Sequence, residues 1–184
     1  MPAIAWMNGS WTSSSSISMA LVYSFPPVVS RNSKVLILGS MPGEVSLKAG
    51  QYYAHPRNAF WRIMDELFGA GASLLYPDRL VALDKAGVAL WDSLKACTRP
   101  GSLDSAIRDE EPNDFAGLFA SFPGITHVFF NGAKSEAAFR RHVRARLTGS
   151  PRVFIRLPST SPAHAGMRFE EKVERWRAVT KALS

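Results

Sequence analysis

Apolar and polar positions alternate along the chain in blocks of two kinds. Short uninterrupted apolar runs, VLILG (35–39), THVFFNG (126–132) and RVFIRL (152–157), read as strands buried on both faces. VALWDSL (88–94) reads as a further short strand running into a loop. Between them lie segments of helical period. NAFWRIMDELFGA carries Phe60, Ile63, Met64, Leu67 and Phe68 on one face and stops at Gly69. LVALDKAG (80–87) predicts a second helix, and Phe115, Leu118 and Phe119 a third, with Asn113 as its cap. KSEAAFRRHVRARL (134–147) predicts a basic amphipathic helix, and RFEEKVERWRAVTKAL (168–183) a closing helix with Phe169, Val173, Trp176 and Val179 on one face. The acidic segment DSAIRDEEPNDF (104–115) is expected to be exposed. Strands alternating with helices predict an α/β fold, a three-layer α/β/α sandwich around a central, mostly parallel sheet of about four to five strands.

Residues 1–24 break this pattern. GSWTSSSSIS (9–18) is polar, Ser-rich and aperiodic, so 1–24 are expected to form a loosely ordered extension before a single domain at 25–184. The segment lacks the arginines of a transit peptide and the basic start of a secretory signal; Met19 as the natural start is the favoured expectation.

Composition narrows the partners. Net charge is +7 with 20% charged residues, which favours a polyanion, nucleic acid first, through phosphate neutralisation and counterion release. The single cysteine, Cys97, excludes a disulfide within these 184 residues and a four-cysteine zinc or iron–sulfur site. A reducing cytosol is the simplest compartment. No apolar run approaches the roughly 18 residues of a membrane span.

The candidate chemistry sits beyond the carboxyl ends of three strands, where sheets of this kind bind ligands. The first loop is Gly39-Ser40-Met41-Pro42-Gly43, the second Asn131-Gly132, the third Pro158 to His164. The first continues through Tyr52-Tyr53, His55-Pro56 and Asn58 before Phe60-Trp61. Flat rings, amides and a close backbone loop suit a planar hydrogen-bonding molecule such as a nucleobase. The first loop lacks the Gly-Lys-Ser/Thr ending of a nucleotide P-loop.

GSMPG followed by YYAHPRNAFW, and LPSTSPAHA about a hundred residues later, resemble the two signature regions of the uracil-DNA glycosylase superfamily. The likeness runs from about Phe25 to the closing helix and is nearest to the hypoxanthine-DNA glycosylase branch, with the mismatch-specific uracil and thymine glycosylases next. It implies a DNA repair enzyme that flips a deaminated base out of the helix and hydrolyses its N-glycosidic bond, without metal or other cofactor, acting as a monomer on damaged DNA. One departure is informative. The mismatch-specific branch has in its first loop an Asn that positions the attacking water, where this chain has Ser40 and Met41. In the hypoxanthine branch the catalytic amide comes from the second half of the motif, where Asn58 stands.

The resemblance therefore implies these roles. Asn58 places the water; as Asn before Ala-Phe-Trp it also reads as a helix cap, and one side chain is not expected to do both easily. Ser161 is a candidate to assist the leaving base. Gly39, Ser40, Met41, Pro42 and Gly43 line the pocket through backbone amides. Tyr53 stacks on the flipped base, with His55, Phe60 and Asn131 as further base contacts. Ser159, Thr160, His164, Arg168 and Lys172 are candidates for DNA. The place from which relatives push a long side chain into the gap left by the flipped base holds Ala163, leaving His164 and Met167 as candidates. Lys134, Arg140, Arg141, Arg144 and Arg146 read more simply as a solvated basic face. No amine is aimed at C1′, so no strand nicking is expected. Two alternatives stay open: a mismatch-specific uracil glycosylase, and a catalytically silent nucleic-acid-binding module.

Overall fold

The structure, a computed structural model, describes residues 21–184, so the expectations for residues 1–20, Met19 included, lie outside it. Four strands form the parallel central sheet: β2 (Val35–Gly39), β3 (Val88–Asp92), β6 (His127–Asn131) and β7 (Val153–Leu157), in the order β3-β2-β6-β7. β2 and β3 are buried at every position, as uninterrupted apolar runs require. Alternate residues face opposite ways. Val35, Ile37, Val88, Leu90, Phe129 and Leu157 pack against α2 (Phe60–Phe68), α3 (Tyr76–Ala86), α6 (Phe169–Trp176) and α7 (Ala178–Lys181). Leu36, Leu38, Ala89, Trp91, Val128 and Phe130 pack against α4 (Phe115–Ser121) and α5 (Ala133–His142). The molecule is thus the expected three-layer sandwich.

Several elements depart from expectation. A second sheet, antiparallel and in the order β1-β4-β5, joins Leu21–Tyr23 (β1), Leu94–Thr98 (β4) and Arg108–Pro112 (β5). Leu21–Tyr23, assigned from sequence to the loose extension, is thereby paired with β4. The acidic segment contributes β5, whose residues are exposed or half-buried. A short helix, α1 (Glu44–Ala49), follows the first loop. The basic helix ends at His142 and passes into a 3₁₀ turn at Arg144–Arg146, and the closing helix is split into α6 and α7.

Asn113 does not cap α4. Asp114 does, accepting from the Gly117 amide, while the buried Asn113 amide donates to the carbonyls of Asp92 and Leu94. Asn113 thus pins the bend at which β3 leaves the parallel sheet and β4 begins.

The strand order places the topological switch between β2 and β6: the chain leaves β2 for one neighbour and returns to the other side. Gly39 and Asn131 end those two strands, so the crevice where such sheets bind ligands opens between them.

Candidate active site

A cavity of about 440 Å³ opens at this switch, within the size range of small-molecule sites. Its wall draws on the first loop (Gly39 to Gly43), the following segment (Tyr53, His55, Asn58), the end of β3 (Asp92), the end of β6 (Asn131) and the loop Ser159 to His164. Backbone and side-chain bonds tie these distant pieces together. The Ala59 amide, at the start of α2, donates to the Thr160 carbonyl at 3.0 Å. Asn131 and Thr160 bond twice: the Asn131 amide donates to Thr160 Oγ1 and the Thr160 backbone amide donates to Asn131 Oδ1, both at 2.9 Å. Gly132, at φ +96, is needed there, because a Cβ would stand 2.9 Å from that of Ser159. From behind, α6 holds the same loop: Trp176 Nε1 donates to the Pro158 carbonyl and Lys172 Nζ to that of His164.

Tyr53 stands against Phe60 with ring centroids 3.9 Å apart and planes 21° from parallel. Its backbone takes the left-handed conformation at φ 55, a strained choice for an aromatic residue that fixes where the ring points. Phe60 is fully buried and outside the cavity lining, and it supports Tyr53 from beneath. Asn58 lines the cavity, and its Oδ1 accepts from the Phe60 amide at 2.9 Å. This is a turn bond two residues on, since Ala59 stands at the N-cap of α2, and it coexists with the cavity position because a carboxamide oxygen has a second lone pair and its nitrogen two further hydrogens. His55 Nδ1 accepts from the Arg57 amide, which leaves the proton of the neutral ring on Nε2.

The floor of the cavity holds an acid that the sequence reading passed over. Asp92 ends β3 and is buried. Its Oδ2 and the Tyr53 hydroxyl are both enclosed, with no hydrogen-bond partner among the described residues. Burial, then the nearby Asp104, push the Asp92 carboxyl up to about 8, with Arg99 pulling the other way. Burial and then Asp92 raise the Tyr53 phenol; Asn131 is close enough to offset part of that rise, although no hydrogen bond of normal geometry joins them. Gly39 is required here for space: a Cβ on it would lie 2.5 Å from Asp92 Oδ1 and 3.1 Å from the Tyr53 hydroxyl. Arg99, itself buried, donates to the Pro42 carbonyl from behind the wall, and Ser40 Oγ donates at 2.6 Å to Asp104, which also lines the cavity, so the first loop is held at two points.

The other expected residues divide in two. Gly39 to Gly43, Asn131, Ser159, Thr160, Ser161 and His164 all line the cavity. Ser161 Oγ accepts from the Ala163 amide, a local turn bond. Lys172 and Arg168 do not line the cavity. Lys172 is only 5% exposed and its ammonium is committed to the His164 carbonyl, so it positions the loop and presents no charge to solvent. Arg168 lies outside the cavity, where its largely exposed side chain pairs with Glu171 at the start of α6. In the basic cluster, Lys134 and His142 pair with Glu110 of β5, and Arg140 with Glu136.

With the site in view, comparison with known proteins gives its class. The family model of the uracil DNA glycosylase superfamily matches residues 26–180, and the chain belongs to that superfamily. A hypoxanthine DNA glycosylase of Methanosarcina barkeri is 46% identical over 112 residues, spanning 60% of this chain and 71% of the relative. Its namesake in Methanosarcina acetivorans is 42% identical over the same shares. A G/U mismatch-specific uracil DNA glycosylase of Schizosaccharomyces pombe is 26% identical across 91% of this chain and 56% of its own length. The solution NMR structure of a uracil DNA glycosylase candidate from Methanosarcina acetivorans superposes with a TM-score of 0.72 at 34% identity, covering 88% of this chain and 99% of the other. Among the described residues no group of His, Cys, Asp and Glu could hold a metal ion, and no helix is long and apolar enough to cross a membrane.

Proposed function

We propose that this protein is a monofunctional DNA glycosylase that extrudes a deaminated base, hypoxanthine first, and hydrolyses its N-glycosidic bond. One observation carries the reading. The segment Tyr53–Asn58 and the loop Ser159–Ser161, a hundred residues apart, are joined through Ala59 and Thr160 around a single cavity that offers an aromatic ring, amides and backbone donors. The Methanosarcina relatives named for hypoxanthine support the base preference.

The target bond is inaccessible in a stacked duplex, so the nucleotide must be swung out at a cost of a few kcal/mol, least for a badly paired base. In the cavity the base stacks on Tyr53, a contact worth about 1–3 kcal/mol. Amides of the first loop and of Asn131 meet its polar edge. Asn58 holds the water that attacks C1′ as the sugar gains positive character, so proximity and fixed dipoles supply most of the barrier reduction. No lysine nucleophile enters, and the abasic product is left uncut. The net charge of +7 supports binding of the flanking phosphates by a monomer.

The test is a panel of oligonucleotides carrying hypoxanthine, uracil or xanthine. We expect strand breaks only after alkali, fastest with hypoxanthine. No break with any of the three, at saturating protein, would leave only the silent binding module. Fastest release from G·U pairs would favour the mismatch-specific reading.

A further inference from the structure

The group in the cavity that this mechanism leaves idle is the Asp92 carboxyl. It is 3% exposed, faces the cavity, and has an enclosed oxygen that nothing in the described residues satisfies. A buried carboxylate without donors is costly, whereas a neutral carboxylic acid carries an O–H that it can give away. Every charged or titratable neighbour is identifiable. From the segment before α2 come the phenols of Tyr52 and Tyr53; from a separate 3₁₀ turn, Asp104–Ala106, comes Asp104, whose charge opposes a second one; just after β4 comes Arg99, the one group favouring ionisation. Glu44, His55, Lys134 and His164 line the same cavity. Burial outweighs Arg99, and the acid stays protonated up to about pH 8.

We propose that Asp92, as a neutral acid, is the proton donor to the leaving base, acting at N7 of an extruded purine. The inference rests on the glycosylase reading and deepens it. As the N9–C1′ bond breaks, its electron pair moves into the base. The Asp92 O–H bond breaks while an N7–H bond forms, and hypoxanthine departs as a neutral tautomer. The oxygen of the water bonds to C1′ and its surplus proton passes to solvent; Asp92 takes a proton back from solvent after the base leaves. Carbonyl O6 remains for the backbone amides of the first loop. Uracil has no N7, so the arrangement favours purines without any steric exclusion of pyrimidines.

The experiment measures single-turnover excision by wild type and Asp92→Asn from pH 5.5 to 9, on DNA holding hypoxanthine or 7-deazahypoxanthine, which lacks the N7 acceptor. Wild type should lose rate tenfold per pH unit above about 8. Asp92→Asn should be slower by about 10²–10⁴-fold and flat with pH. The 7-deaza base should slow wild type by a similar factor and the variant far less, since the two changes remove one interaction. A variant with wild-type rate and pH profile, or a 7-deaza penalty equal in both proteins, overturns the proposal. The 7-deaza arm on wild type needs no substitution and so holds even if the variant folds poorly. Wild type inert on hypoxanthine is a separate result, and overturns the glycosylase reading itself.

Discussion

Replacing Asp92 with Asn should make the protein more stable, increasingly so as pH rises. The folded carboxyl holds its proton up to about 8, against an ordinary value of 3.8. Between those limits the folded state binds more protons than the unfolded state, so wild-type stability falls as pH increases through this window. The cost is absent below pH 3.8 and complete above about 8. At 1.36 kcal/mol per pH unit it reaches about 4 kcal/mol at pH 7 and has a ceiling near ~6 kcal/mol. Asn has the same shape and no charge to bury, so it escapes the loss. With roughly 2–4 °C per kcal/mol for a chain of this size, the variant should melt on the order of 10 °C above wild type at pH 8. The two should melt together near pH 4. Thermal unfolding of both proteins from pH 4 to 8.5, at fixed ionic strength, measures this directly. A difference in Tm that is constant across the range, or that favours wild type at pH 8, would refute the claim that a buried, unpartnered acid forms the cavity floor.

Other substitutions probe the remaining parts. Asn58→Ala should abolish excision while sparing DNA binding, and should also lose about 1 kcal/mol for the missing bond to the Phe60 amide. Asn58→Ser should recover that stability without recovering the rate, which separates the turn bond from the chemistry. Gly39→Ala places a methyl 2.5 Å from Asp92 Oδ1, so it should cost about 1–3 kcal/mol in denaturant unfolding and block base binding. Phe60→Ala should destabilise by about 3–5 kcal/mol and weaken affinity for DNA with an extruded base, because Tyr53 loses the ring beneath it.

The parallel sheet was legible because its strands are buried on both faces and therefore spell continuous apolar runs. The antiparallel sheet was not. Arg108–Pro112 is half-exposed and charged, and it becomes a strand only by pairing with Leu94–Thr98, a contact no local pattern announces. The cavity wall was legible through its two signature segments, whose residue types suit a base. Asp92 was overlooked because Asp at a strand end looks like a turn residue. The signal was present in VALWDSL, an acid enclosed within an apolar run, but its lack of a partner is a three-dimensional fact. Lys172 is a different case. It falls three residues after Phe169 and four before Trp176, so helical spacing alone puts it on the packed face of α6. Its charge drew the reading towards phosphate, whereas burial turned the ammonium onto a loop carbonyl.

The central claim is that the two distant loops enclose an extruded base. Its most direct test is a crystal structure of the protein on duplex DNA bearing 2′-fluoro-deoxyinosine, whose glycosidic bond resists hydrolysis. The account predicts hypoxanthine out of the stack, lying on Tyr53, with Asn58 facing C1′ and Asp92 within hydrogen-bond distance of N7. A base still paired in the helix, or DNA bound on a face away from Tyr53 and Thr160, would contradict it.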